Sequence, residues 1–124
     1  MIHLTKNSSS EIILTLKEKQ TLSTPNYLFW FKSRGTNQVV AFVVLNAADT
    51  SGFKDRFNEF TIVVNTYFEN SPEGDWEYAI YEQTSTSNIN PALATNLLEV
   101  GIMRLNNLGN LLNVNVYNNV YLNE

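Results

Sequence analysis

Short runs of apolar and aromatic residues, separated by stretches of Asn, Ser, Thr and Gly, dominate this chain. Four such runs cover residues 27–31, 39–45, 60–64 and 76–81. Alternation adds residues 11–16, where Ile12, Leu14 and Leu16 share one face, and apolar residues resume over 97–105. Runs of this length with turn-forming borders are typical of strands. The pattern predicts a compact all-β domain.

Short turns between the runs predict antiparallel pairing, and the strands can form either an antiparallel β-sandwich or a partly closed barrel. Residues 27–31 are apolar on both faces, which is typical of a central strand. The turn at 34–37 predicts a hairpin with the next run. Residues 46–53 read as a polar, exposed loop, and Pro91 favours one short helical turn. Gly101 predicts a bulge or an aromatic ring lying across the backbone.

The end of the chain has a different composition. We assign residues 1–107 to the β-sandwich domain and residues 108–124 to an Asn-rich C-terminal strand or arm. Its apolar residues alternate with Asn at first, as expected of a strand with two unlike faces that could pair with the exposed edge of a neighbouring copy. The predicted assembly interface comprises Leu112, Val114, Val116, Tyr117, Val120, Tyr121 and Leu122.

Composition excludes several functions. The net charge is −4 and only eight Lys and Arg residues are present, scattered along the chain, which argues against nucleic-acid partners. The chain has no Cys and therefore no disulfide or zinc-cysteine site. The N-terminus lacks a secretory pattern, and no apolar stretch approaches the roughly 20 residues that span a bilayer. We expect a soluble protein made in the cytoplasm, without membrane partners.

Chemistry-bearing residues are few. His3 is the only histidine and lies near a terminus. Glu73, Asp75 and Glu77 could act as paired carboxylates in a hydrolase, but acids beside Gly and Pro are more often solvated. The acids and hydroxyls between Asp49 and Glu59 lack the ordered pattern of a calcium loop. We therefore predict no catalytic residue, no metal and no cofactor.

Aromatic residues offer a binding alternative. Trp76, Tyr78 and Ile80 lie at strand spacing and are expected to face the core. Tyr81 points to the opposite face, and together with Trp30 it is the candidate contact for a glycan, as in carbohydrate-binding β-sandwiches. For the charged residues nearest the aromatic runs, Arg56 and Glu82, we expect a structural ion pair or hydrogen-bond network.

Four segments in combination resemble a known family. They cover residues 27–31, 56–60, 74–83 and 97–101, above all the block Gly-Asp-Trp-Glu-Tyr-Ala-Ile-Tyr-Glu-Gln at 74–83. Between about Met1 and Leu105 these segments follow one another in the same order as in small virion proteins of tailed phages that infect Bacteroidota, including crAss-like phages, and the chain resembles that family. The residues after Leu105 lie outside the matching segments.

The resemblance implies a structural component of a phage particle, on the capsid surface, at a head fibre or in the tail. Such a component is expected to be a multicopy β-sandwich without enzyme activity, assembled in the cytoplasm of the host bacterium. Its partners would be other copies of itself and other virion proteins. The carbohydrate-binding alternative adds a host surface glycan as a possible partner.

Overall fold

A computed structural model describes residues 1–106 of the chain, so the arm at 108–124 and its predicted interface lie outside the described residues. The described chain contains seven strands and one short α-helix. They are β1 (Ile2–Thr5), β2 (Ser9–Leu14), β3 (Asn26–Ser33), β4 (Val39–Val44), β5 (Asn58–Val63), α1 (Val64–Phe68), β6 (Gly74–Gln83) and β7 (Asn96–Asn106). Three 3₁₀ turns lie at Lys17–Lys19, Asn46–Ala48 and Pro91–Leu93. The last of these confirms the turn predicted at Pro91.

The strands form two sheets, which confirms the all-β prediction. The larger sheet has the order β1-β7-β6-β3-β4 and curls into a half-barrel, while β2 and β5 form a smaller sheet. The predicted hairpin is present, with Phe29 opposite Phe42 in the antiparallel pair of β3 and β4. In contrast to the antiparallel expectation, β1 lies parallel to β7, with Leu4 opposite Leu105.

One core lies between the two sheets. Strand alternation turns every second side chain inward, and the predicted inward sets are confirmed: Trp76, Tyr78 and Ile80 are buried. Phe60 of the smaller sheet joins the layers, because its ring meets that of Phe29 edge-on at a centroid distance of 5.8 Å. Burying such a ring stabilises the fold by about 1.5–3 kcal/mol.

The run at 27–31 forms β3, an interior strand whose two faces are both buried at Leu28 and Phe29, as expected of a central strand. The middle strand of the five is nevertheless β6, which lies beside it. The ten residues of β6 make it the longer strand, and it pairs with β3 on one side and β7 on the other. Val64, expected at the end of a strand, begins α1. Its side chain is still buried on the predicted face.

The loop expected to be polar and exposed at 46–53 is anchored from within. Asp49 and Ser51 are buried, because the Asp49 carboxylate accepts hydrogen bonds from the backbone N–H groups of Ser51 and Glu59, each at 3.0 Å. It also accepts a bond from the side chain of Asn58 at 2.9 Å. Buried polar groups must find such partners, so this network ties the loop to β5.

Candidate functional site

The face of the larger sheet that points away from the core is apolar over four strands. Alternation from the buried set defines this outer face, and its apolar members include Trp30, Ala41, Ala79, Tyr81, Val100 and Ile102. Leu28 also points outward but is fully buried, and Ala79 is 8 % exposed, so the open part of the face lies toward Val100. Four of them form one row across the sheet, because Trp30 lies opposite both Ala41 and Ala79, and Ala79 lies opposite Val100. Val100 is 65 % exposed. In this row the large Trp30 side chain lies between two alanines, and Val100 at the end of the row is the exposed member.

A shallow hollow of about 390 Å³ lies beside Trp30 on the outer face. The small side chain of Ala79 leaves space between Trp30 and Val100, which are separated by two strand spacings, about 10 Å. Glu77 supplies a carboxylate to the lining, and Tyr78, Gly101 and Ile102 complete it. The hollow is therefore a mostly apolar surface with one charged group at its edge.

The structure brings the two predicted glycan-contact residues onto the same face. Trp30 lies opposite Ala79, and Tyr81 follows two residues later on the same strand, so the two aromatic residues are diagonal neighbours. Both are half-buried. Tyr81 points away from the core as predicted, but it lies outside the lining of the hollow.

The carboxylates considered for hydrolysis lie at the open rim of this face. Asp75 accepts a hydrogen bond from the Arg104 guanidinium at 3.2 Å, and Glu77 lies 3.8 Å from that of Arg34. Glu73 is exposed in the preceding loop. Exposed ion pairs of this kind contribute little to stability, about 0–1 kcal/mol. The carboxylates point into solvent and do not face each other across a cleft, as a pair of hydrolytic carboxylates would.

A second groove, of about 420 Å³, lies between β1, β2 and β7. His3, Glu11 and Glu99 contribute to its lining. The Tyr78 hydroxyl donates a hydrogen bond to the Glu99 carboxylate at 2.5 Å. Burial, then this bond and the carboxylate's charge, raise the pKa of Tyr78 far above its ordinary value. Across residues 1–106, no group of three His, Asp or Glu side chains is placed to hold a metal ion.

A third surface, which we call the seam, is an apolar groove of about 460 Å³ between β4 and β5. Val44 and Ile62 line its buried side, while Leu45, Val63 and Tyr67 are exposed along it. The Tyr67 ring stacks on Phe42 of β4, with centroids 3.8 Å apart. Sequence reasoning missed the seam, although the outward-facing Val63 at the end of an alternating strand was its available signal.

The buried carboxylate of Glu82 belongs to the structural network that its position predicted. It accepts hydrogen bonds from the backbone N–H groups of Thr21 and Leu22 at 3.0 Å, and from the Thr21 hydroxyl at 2.6 Å and the Asn96 amide at 3.3 Å. Burial acts to raise the pKa of Glu82, but these bonds outweigh it and lower the pKa. Arg56, in contrast, is exposed.

Comparison of the chain with protein-family models, curated proteins and solved structures finds no match. The resemblance to phage virion proteins therefore stays a prediction. Among the described residues, no helix has the length and apolar character needed to cross a membrane. Of the three surfaces, the outer face combines the exposed Val100, the hollow beside Trp30 and both predicted glycan-contact residues, and we take it as the candidate interaction site.

Proposed function

We propose that the protein is a structural component of a tailed-phage particle, acting by association with further copies of itself and with other virion proteins. The observation that carries this proposal is the row formed by Ala41, Trp30, Ala79 and Val100 on the outer face. An antiparallel sheet with one face on a core usually presents polar residues on the other. Apolar residues grouped on an exposed face mark an interaction surface.

The rim of the outer face supports a protein partner. Asp75, Glu77, Arg34 and Arg104 lie at its edge in two ion pairs. An apolar centre with a polar, solvated rim is the usual arrangement of a protein interface. In this proposal the particle position is a capsid decoration, head-fibre or tail site, and assembly takes place in the cytoplasm of the host bacterium.

Light scattering over a range of concentrations tests the association. We expect the full chain to form a defined oligomer, and Val100→Lys to dissociate it by burying a charge at the interface. Ile13→Lys is a matched control, because Ile13 is 64 % exposed but lies on β2 of the smaller sheet, against 65 % for Val100. A monomeric full chain at high concentration, or equal effects of both variants, would contradict association through this face.

The phage assignment has a separate test. Particles purified from a Bacteroidota culture infected with the phage that encodes this chain should contain it in many copies, as measured by quantitative mass spectrometry. Its presence only in the lysate supernatant, with intact particles lacking it, would exclude a virion component while leaving the association result unaffected.

Carbohydrate binding is the second candidate, favoured by the diagonal pairing of Trp30 and Tyr81 on one face. Aromatic faces of this kind stack on sugar rings, and the ligand would be a host surface glycan. Tyr81→Ala should then abolish glycan retention on an array without changing the unfolding midpoint. Equal retention by the wild type and by Tyr81→Ala would remove this candidate.

A further inference from the structure

Two unpaired strand edges face each other across the seam. Within residues 1–106, β4 pairs only with β3, and β5 pairs only with β2. The edge of β4 therefore has no strand partner on its seam side. On β5, the N–H and C=O groups of Glu59 already bond to Asp49 and Thr50 of the loop, so the open part of that edge lies at Thr61 and Val63. Edges of this kind readily accept a further strand. The seam lies where one strand would bridge the larger and smaller sheets.

The lining of the seam is uncharged. It comprises Val43, Val44, Leu45, Ala47, Ala48, Thr61, Ile62, Val63, Thr66 and Tyr67. The chain after Asn106 has the matching composition, since Glu124 is its only charged residue. Leu112, Val114 and Val116 alternate there with Asn113 and Asn115, which gives a strand one apolar and one polar face. A strand with this pattern can cover the core while presenting Asn to water.

Asn106, the last described residue, lies near α1, the helix that borders one end of the seam. The Asn106 carbonyl accepts a hydrogen bond from the Lys6 N–H at 2.9 Å. The next residue, Asn7, donates its N–H to the Asn65 side chain of α1 at 2.8 Å, and Thr66 and Tyr67 line the seam. This chain of contacts limits the separation of Asn106 from α1 to roughly 13 Å, whereas residues 107–111 can span about 17 Å.

We propose that residues 112–116 of the same molecule occupy the seam as an additional strand between β4 and β5. Leu112, Val114 and Val116 then face Val44 and Ile62, and the two Asn residues face outward. The short connection favours a molecule's own segment, because tethering gives it a high effective concentration. This departs from the expectation that the arm pairs with a neighbouring copy, and it does not depend on the phage assignment.

Cysteine pairs in the full-length, Cys-free chain test the proposal directly. Thr61→Cys on the exposed side of β5 is combined with Asn113→Cys or with Asn115→Cys, because neighbouring strands bring Cα atoms within the 4.4–6.8 Å range of a disulfide. We expect one pair to form an internal disulfide under mild oxidation at low concentration, read by non-reducing electrophoresis and intact mass.

The matched control replaces Thr61 by Thr15, an exposed threonine just after β2, which borders the other groove. Thr15→Cys with the same tail cysteines should give at most a tenth of the internal disulfide. Covalent dimers formed through Thr61→Cys would show exchange between copies and overturn the single-molecule arrangement. Equal yields from Thr61→Cys and Thr15→Cys, or no disulfide from Thr61→Cys, would overturn the seam as the site.

A second comparison uses no crosslink. Val114→Asp should accelerate amide hydrogen exchange at Val43 and Val63 at least tenfold, because a charge enters the covered side of the seam. Asn113→Asp places the same charge on the outward side and should leave the exchange rates within twofold of wild type. Equal protection in both variants would contradict the proposal, even if the tail bound elsewhere on the surface.

Discussion

Gly101 is a position on β7 with no room for a side chain. A Cβ built there would lie 2.8 Å from ring atoms of Tyr78. The ring is buried and fixed through its hydrogen bond to Glu99, so it cannot move aside without breaking that bond. We expect Gly101→Ala to lower the free energy of unfolding by about 1–3 kcal/mol, the usual effect of overpacking.

Urea denaturation measures this effect against Gly35→Ala. Gly35 lies in the turn after β3 with no atom within 4 Å of a Cβ and no positive φ, so this change should be neutral or slightly stabilising. A Gly101→Ala variant as stable as Gly35→Ala would show that the Tyr78 ring moves freely.

The sequence predicted either a bulge or an aromatic ring at Gly101, because a glycine within a strand marks one or the other, and the ring is the one present there. It did not predict the burial of Asp49, whose partners are a side chain and backbone groups up to ten residues away. An acid in an Asn- and Ser-rich stretch has the composition of a solvated loop. Only the folded path of the chain supplies donors that make its burial favourable.

Glu82 gives a prediction about pH. Its folded-state pKa is lowered, so its stabilising contribution is present above the unfolded pKa of about 4.3 and is lost as pH falls through the folded value. Glu82→Gln turns one acceptor oxygen into a donor facing other donors and should lower stability at pH 7 by about 1–3 kcal/mol.

Unfolding midpoints between pH 2 and pH 7 test both parts of the Glu82 prediction. The loss caused by Glu82→Gln should shrink toward the acidic end, where wild-type Glu82 is itself protonated. Glu77→Gln, on the exposed rim, should stay within about 0.5 kcal/mol of wild type at every pH. A penalty at Glu82 that does not change with pH would indicate a purely steric effect.

At the scale of elements, β2 and β5 bring two carboxylates together. Glu11 lies opposite Thr61 and Glu59 opposite Ile13, so the two acids are diagonal neighbours. A hydrogen bond with Glu11, followed by burial and the charges of Glu11 and Asp49, raises the pKa of Glu59. The stability linked to the protonated carboxyl is therefore present below about pH 4.3 and lost as pH rises through the folded pKa.

Replacing Glu11 by Gln should flatten this part of the stability profile, because an amide can donate to the ionised Glu59 carboxylate at neutral pH. Thermal midpoints from pH 4 to pH 7 should then fall less in Glu11→Gln than in wild type. Glu18→Gln removes an acid from the 3₁₀ turn Lys17–Lys19 and should keep the wild-type profile. If all three profiles coincide, the two strands do not couple these acids.

Elements that sequence reasoning missed owe their form to tertiary contacts. β1 has four residues, and only Ile2 and Leu4 are buried, a pattern too short to distinguish from a loop. Pairing with β7 and the core beneath it determine the strand. The five-residue helix α1 likewise has no side-chain cap, and it is held by burying Val64 and Phe68. Long alternating runs such as β6 can be predicted from the sequence alone, because their periodicity specifies which face is buried.

For the whole molecule, Phe60 links the stability of the two sheets. It is fully buried, and its ring meets those of Tyr27 and Phe29 across the core at 5.5 and 5.8 Å. A two-stranded sheet is marginal in water by itself, so β2 and β5 depend on this contact layer. We expect Phe60→Ala to lower the free energy of unfolding by about 3–5 kcal/mol and to weaken both sheets together.

Two probes follow the two sheets during urea unfolding. The fluorescence of Trp30 and Trp76, which both lie in the larger sheet, reports on that sheet, and amide exchange at Ile12 and Ile62 reports on the smaller one. Both transitions should shift to lower urea by the same amount in Phe60→Ala and stay unshifted in Phe53→Ala, whose ring is 61 % exposed. Separate transitions would mean that the half-barrel folds without its smaller sheet. If the fluorescence and exchange transitions coincide, the two sheets unfold together, and the core that they share is the cooperative unit.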